Sequence, residues 1–335
     1  MVQLLGLLLI SFFITSFALI PFINFLFYLR KKYKSKISDK NQDLPIHNQI
    51  LKDKDLETPV GGGLLLIPLI IVLFLALFFM LKHKVTMEAY ILIFTIVTFG
   101  YIGLLDDVRK IFSDFKGKYS GLKSRYILLL QILFALLISV MLYSFLGLNN
   151  IFIPIIGNVV LGWIYIPLSV FAIVSFSNAY NISDGLDGLS TGLLLICLVA
   201  FLVLAHAVFD QTLSIFVGIW IGAIIAYLYF NVYPARIYLG DAGSFGFGAA
   251  LAVVGLLTGK IVGLGVIGGV YVIIVGSSLL QILSKKFLKR KIIPVAPIHI
   301  YFKYIGWEEP KIVTRFWLVG AIFAILGLYL ALLSH

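Results

Sequence analysis

Long apolar runs broken by short polar ones dominate this chain, and the length of those runs is the first thing to interpret. A helix rises about 1.5 Å per residue, so roughly 20 apolar residues cross a hydrocarbon layer about 30 Å thick. Ten such runs are predicted, near residues 3–28, 63–81, 87–105, 127–147, 160–178, 189–208, 212–231, 243–258, 261–283 and 316–333. The eighth is short and rich in Gly and Ala. Gly61-Gly62-Gly63 opens the second run and the glycines of 240–248 open the eighth, where small residues let backbones or a ligand come close. Ile153-Pro154-Ile155-Ile156-Gly157 reads as a short hairpin segment between spans. Polar residues gather in the connectors 29–62, 106–126, 178–190, 231–244 and 284–315, and no internal repeat is visible. The pattern predicts an all-α integral membrane protein. It is a bundle of about ten transmembrane helices forming a single polytopic domain over residues 1–335.

Composition sharpens this. The chain is 61% hydrophobic and 12% charged, with a mean hydropathy of +1.08. A soluble domain is about half apolar and about a quarter charged, so that class is excluded. A net charge of +11 would otherwise suggest a nucleic-acid partner, but its distribution argues against one. All but three of the 26 Lys and Arg lie in connectors that follow odd-numbered spans, leaving only Lys82, Lys84 and Lys260 for the other side. Such a bias places those connectors in the cytoplasm and both termini outside, with the basic residues against anionic lipid headgroups. Cys197 lies in an apolar run, so no disulfide is expected. The first span follows no basic leader and precedes no small-residue cleavage site, and reads as retained.

The candidate chemistry sits where spans meet water. Asn178-Ala179-Tyr180-Asn181-Ile182-Ser183-Asp184-Gly185-Leu186-Asp187-Gly188 carries two carboxylates and two amide side chains between two apolar runs. Asp106-Asp107 follows Gly103-Leu104-Leu105, and Asp241 lies in Gly240-Asp241-Ala242-Gly243-Ser244. The topology puts all five acids on the cytoplasmic side, although it was assigned without them. Acids converging at one membrane surface suit a magnesium site for a phosphorylated substrate. Each has a plainer alternative. Asp106 and Asp107 can cap a helix that follows them, with cap and site about equally weighted. Asp184 and Asp187, three apart like Asn178 and Asn181, line one wall if the segment is helical, or form a polar turn. Asp241 can cap a helix or hold a metal beside phosphate at a helix N-terminus, and the two roles are compatible. Tyr238 can stack a flat ring or anchor the interface, and His299 in Pro297-Ile298-His299 can be structural or donate a proton.

Taken in order, these segments resemble the polyprenyl-phosphate N-acetylhexosamine-1-phosphate transferases, and within them the phospho-N-acetylmuramoyl-pentapeptide transferase family. The resemblance rests on Thr58-Pro59-Val60-Gly61-Gly62-Gly63, Gly103 to Asp107, Asn178 to Gly188, Asn231 to Ser244, Gln281 and Ala296-Pro297-Ile298-His299. It is completed by Gly306-Trp307-Glu308-Glu309-Pro310 through Arg315-Phe316-Trp317. It implies a ten-helix bundle with a cytoplasmic site in a bacterial inner membrane. Asp106 and Asp107 would be paired catalytic acids, Asp241 the magnesium ligand, and His299 a further catalytic group. Asn178, Asn181, Asp184, Asp187, Asn231 and Tyr238 would contact the nucleotide sugar, with Gln281, Lys54 and Thr58 also at the substrate. Its implied partners are a UDP-sugar (UDP-MurNAc-pentapeptide in the muramoyl branch), a polyprenyl phosphate and membrane lipid, with Mg2+ as cofactor. A homodimer is an admissible assembly.

The chain departs from the family pattern at four places. A run of three histidines is here His299-Ile300-Tyr301, the second Thr of the Thr-Pro motif is Val60, Asp55 replaces a Lys that is displaced to Lys54, and Ile127 replaces another Lys. These changes bear on phosphate contacts and sugar identity more than on reaction class. A sister transferase using UDP-N-acetylglucosamine shares most of the motifs. An ion-coupled transporter would instead want acids near mid-bilayer, whereas these sit at span ends.

Overall fold

The structure, a computed structural model, describes residues 2–34, 58–80, 84–114, 121–208 and 210–333. Among these residues ten helices are long and apolar enough to cross a membrane. The elements in order are α1 (Val2–Lys34), α2 (Gly62–Met80), α3 (Met87–Asp114) and α4 (Ser124–Leu146). A hairpin of β1 (Asn150–Ile153) and β2 (Gly157–Val160) follows, then α5 (Tyr165–Ser183), α6 (Leu189–Ala207), α7 (Gln211–Asn231) and α8 (Gly240–Leu257). The chain closes with α9 (Ile261–Ile267), α10 (Gly269–Leu283), the short α11 (Ile298–Tyr304) and α12 (Glu309–Leu332).

Three boundaries differ from the run-length expectation, each for a local reason. The ninth run is two helices. It breaks at Gly268, where a Cβ would lie 2.5 Å from the Phe176 ring, so the chain bends around α5 and restarts at Gly269. The helix expected to end at 105 continues to Asp114, because a helix needs an apolar face only while it is in lipid. The fifth span starts at Tyr165, since a 3-10 turn at Gly162–Ile164 takes up the residues before it. The hairpin segment expected at 153–157 is the turn of the antiparallel β1–β2 pair, with Ile153 opposite Gly157. Phe152 on β1 packs under the Lys260 ammonium, 3.8 Å from its ring centre.

α8 is the axis of the bundle. It packs against α2, α3 and α5, while α7 fills the space between α1 and α6. Close approach depends on residues without side chains. A Cβ on Gly63 of α2 would strike the Gly243 backbone, and one on Gly103 of α3 would strike the Asp241 carbonyl. Bulk replaces contact deeper in the bundle, where Tyr180 stacks on Tyr271 at 5.6 Å and Trp220 meets Phe247 at 5.4 Å. One further tie holds the start of α2 to the start of α8. Tyr238 N donates to Pro59 O at 2.9 Å, and Gly61 N and Gly62 N donate to Tyr238 O at 3.0 and 2.9 Å. The consequence is that the late part of α3, the end of α5 and the first turn of α8 meet at one end of the bundle.

Candidate active site

The first turn of α8 leaves backbone N–H groups that its own sequence cannot satisfy, because the residue before the helix is Leu239. Asp107 of α3 supplies the acceptors. Its Oδ1 accepts from Asp241 N at 3.2 Å and its Oδ2 from Ala242 N at 3.0 Å. Gly240 makes room for this, with φ +81 and a Cβ position only 2.9 Å from Asp107 Oδ2. Sequence reasoning allowed Asp106-Asp107 to cap a helix that follows them. The structure corrects this: α3 runs through both residues, and the helix capped is α8, far along the chain.

Asp106 is the neighbouring residue on α3 and so points elsewhere. It is 4% exposed. Its Oδ1 accepts from Leu122 N at 2.5 Å, and its Oδ2 lies 2.8 Å from Lys110 Nζ, one turn later on the same helix. The same ammonium pairs with Asp241 Oδ2 of α8, and the other oxygen, Asp241 Oδ1, accepts from Asn181 Nδ2 at 3.0 Å. All six carboxylate oxygens of Asp106, Asp107 and Asp241 are therefore engaged. One ammonium bridges two acids from different helices, which neutralises part of their charge. Lys110 was missed in the sequence reading, although its spacing from Asp106 was a usable signal. The Lys110 and Asp241 side chains keep 32% and 20% exposure, so this knot opens outward and is not sealed.

The end of α5 brings in the second group. Asn178 Nδ2 donates to Gln131 Oε1 of α4 at 2.7 Å and to Val174 O at 2.8 Å, whereas Asn181 reaches α8. The helix then stops at Asp184, and the chain turns through Gly185 and Gly188, the latter with φ +78. The expected single wall of amides and acids is corrected here, because a three-residue spacing aligns side chains only while the helix continues. Asp184 Oδ1 accepts from Ser190 Oγ at 2.5 Å and its Oδ2 from Ser244 Oγ at 2.9 Å, joining α6 to α8. Asp187 Oδ2 accepts from Ala235 N at 3.0 Å. Its own N–H donates to Glu309 Oε1 at 2.7 Å, and Glu309 pairs with Lys303 at 2.8 Å. The ion pair joins α11 to the last helix, the Asp187 contact ties that helix to the turn, and sequence reasoning missed both. Nothing in the local pattern around Glu309 announces either.

Other candidate residues are used as struts. Asn231 is 2% exposed; it accepts from Thr191 Oγ1 at 2.9 Å and donates to Ile237 O at 3.0 Å. Gln281 grips the backbone of Ile293 with both ends of its amide, at 2.5 and 3.3 Å. Thr58 Oγ1 donates to Ala235 O at 3.0 Å, and Arg30 holds the Thr58 carbonyl at 2.6 Å. His299 is fully buried beneath the Asp184–Asp187 turn, where a Cβ on Gly185 would lie 2.9 Å from its Nε2. Tyr238 is half-buried beside Val60. Lys54 lies outside the described residues. Asp107, Asp184, Asn181 and Asp241 thus converge on the first two turns of α8, while Asn231, Gln281 and Thr58 support the loops around them.

The donor set fits a hard divalent cation. Among the described residues no three or more His, Cys, Asp or Glu surround a common point. Magnesium, however, is commonly held by one or two carboxylates, with waters and substrate phosphates completing the shell. Asp241 and Asp106 already aim an oxygen each at one cationic group, beside the N-terminus of α8 where anions are favoured. An apolar groove of about 510 Å³ runs along the outside of α4 and α5, between Ile132, Leu136, Pro167, Val170, Phe171 and Val174. Its last residues, Val174 and Ser175, stand one turn before Asn178.

The glycosyl transferase family 4 model matches residues 89–259, which include Asp106, Asp107, Asn178 to Gly188 and Asp241. The chain is similar to the phospho-N-acetylmuramoyl-pentapeptide-transferase of Halalkalibacterium halodurans, 34% identical over 330 residues and 96% of each chain. Proteins of the same name from Bacillus licheniformis and Oceanobacillus iheyensis are also similar. The first is 36% identical, covering 82% of this chain and 83% of that protein. The second is 34% identical, covering 83% and 85%.

Proposed function

This chain belongs to the phospho-N-acetylmuramoyl-pentapeptide transferases of glycosyl transferase family 4, and on that premise we propose its substrates, cofactor and site. It is a phosphoglycosyl transferase. The reaction proposed joins phospho-N-acetylmuramoyl-pentapeptide, carried as its UDP-sugar, to undecaprenyl phosphate. A phosphate oxygen of the lipid attacks the sugar-linked phosphorus, the bond from that phosphorus to the bridging oxygen breaks, and UMP leaves. The product is a polyprenyl-pyrophosphoryl sugar, a lipid-linked precursor for peptidoglycan.

The observation that carries this reading is the sharing of one cation by Asp106 and Asp241 at the N-terminus of α8. Two anionic phosphates must approach each other beside three carboxylates, so their charge has to be offset: Lys110 supplies one positive charge, and a divalent ion would supply more. Asp241, with Asp106 beside it, would hold magnesium, which when bound supplies further charge neutralisation for the diphosphate. Asp107 orients the start of α8 through its two amide contacts, so it sets where Asp241 points. A phosphate monoester has a second pKa of about 6 and is mostly dianionic at neutral pH. The acids therefore have little proton to remove from the lipid, and their work is chiefly to orient it. Asn181 and Asp184 flank the same opening and suit the polar edges of the nucleotide sugar. The apolar groove between α4 and α5 suits the polyprenyl tail, because it leads towards Asn178 and so towards Asn181 and Asp241.

The Lys and Arg bias supports a cytoplasmic site, both termini outside and a multi-pass position in a bacterial inner membrane. The test is UMP release by the purified protein, offered undecaprenyl phosphate with UDP-MurNAc-pentapeptide or with UDP-N-acetylglucosamine, each with magnesium and with chelator. Release from the muramoyl substrate alone, abolished by chelator, is expected. Release only from the N-acetylglucosamine substrate would reassign the sugar, and release untouched by chelator would remove magnesium from the account.

A further inference from the structure

The ion-pair geometry assigns Lys110 a second role. We propose that it is a resident counter-cation, holding Asp106 and Asp241 together and competing with a divalent metal for their oxygens. The inference rests on the magnesium reading above and deepens it. Every oxygen of the three acids is already engaged: two on α8 amides, one on Leu122 N, one on Asn181, and two on the Lys110 ammonium. The contacts to backbone amides belong to the frame and cannot leave without moving α8 or the 121–123 segment. The Lys110 contacts can leave, because a lysine carries its charge at the end of a flexible four-carbon stem. Its side chain is also the most exposed of the three groups, at 32%.

An ammonium and a divalent ion drawing on the same oxygens repel each other, so each weakens the other's hold even at a partly wet site. In this proposal a divalent ion that takes Asp241 Oδ2 displaces the ammonium. The evicted charge remains on α3, one turn from Asp106, and a diphosphate arriving with the metal offers it new acceptors. Metal and diphosphate should then bind cooperatively, because the second ligand rewards the displacement that the first requires. With no diphosphate present, Lys110 lowers metal affinity and keeps the acids paired.

Mn2+ binding to the full-length protein in detergent, read by electron paramagnetic resonance, tests this without turnover. Lys110→Met should bind Mn2+ at least tenfold more tightly than the unaltered protein, Lys110→Arg should stay near the unaltered value, and Asp241→Asn should lose binding. Added UDP should tighten Mn2+ in the unaltered protein more than in Lys110→Met. A second readout needs no variant at Lys110. Acetylation of its amine, followed by mass spectrometry, should rise several-fold when Mn2+ is added, and should not respond in Asp241→Asn. If Asp241→Asn loses Mn2+ while Lys110→Met binds no better than the unaltered protein and acetylation is flat, the counter-cation role is overturned and the metal site stands. If Asp241→Asn binds Mn2+ as the unaltered protein does, the metal assignment falls, and this proposal with it.

Discussion

α8 and α12 can each cross a membrane, yet they occupy opposite places in the bundle. In the most apolar stretch of α8, 83% of residues are buried within the protein, against 22% in α12, although α12 is the more apolar of the two. α2, the most apolar of the ten, is only 39% buried. Hydropathy therefore sends a helix into the membrane and does not choose its neighbours, because lipid tails are as apolar as leucine. What brings α8 to the centre is its lack of side-chain bulk. A Cβ on Gly248 would lie 2.7 Å from Ser177 Cα, and one on Gly246 would lie 3.2 Å from Ile96 O. α12 turns Leu318, Ile322, Ile325 and Tyr329 outward, each more than 60% exposed. A polar end completes the contrast: α8 begins in a knot of acids, a lysine and an amide, and closing that knot requires helices on three sides.

This contrast can be broken first at its closest contact. Gly103→Leu pushes a branched side chain into the Asp241 carbonyl, where no flexible neighbour can yield. The expected result is loss of monodisperse protein on size exclusion or, in protein that still folds, a fall in UMP release of more than about 100-fold, as a misplacement of about 1 Å at the site implies. Gly276→Leu is the control, since nothing lies within 4 Å of its Cβ position, and it should fold normally. Asp241→Asn keeps the shape of α8 and removes its charge. Turnover should drop on the order of 100-fold with the melting temperature little changed, in line with losing one preorganised electrostatic group. Full magnesium-dependent turnover in that variant would refute the assignment. Asp107→Ala uncaps α8, which should cost about 1–2 kcal/mol in thermal or denaturant unfolding and slow turnover through misplacement of Asp241. An unchanged melting curve would show that the amides find other acceptors. Ile325→Ala, on the lipid face of α12, should alter stability by less than about 0.5 kcal/mol, and a larger loss would mean that α12 has a protein neighbour.

How much of this was legible varies by residue. The polar stretch from Asn178 to Gly188 stood out because polar groups are costly in lipid, so their presence at a span end required a reason. Its internal geometry did not stand out, since the helix stops at Asp184 and the spacing rule lapses there. Asp106 and Asp107 were visible as a pair. That one accepts from α8 amides while the other shares Lys110 depends on how α3 is rotated against α8. Asn231 and Gln281 are legible as polar residues at span ends, but that their amides hold Ile237 O and Ile293 O is not, because the backbone group a buried amide satisfies is set by the loop that folds over it.

By itself the sequence determined that this chain crosses a membrane repeatedly as helices, and which polar stretches border the lipid. Both follow from consecutive residues, because the hydrocarbon layer tests each run separately. Only the tertiary structure decided that Lys110 and Asp241, 131 positions apart, share a proton-bearing contact, and that α8 lies at the centre. Those outcomes depend on how closely backbones from distant runs can approach, which is decided jointly by glycines on several helices and by no one segment.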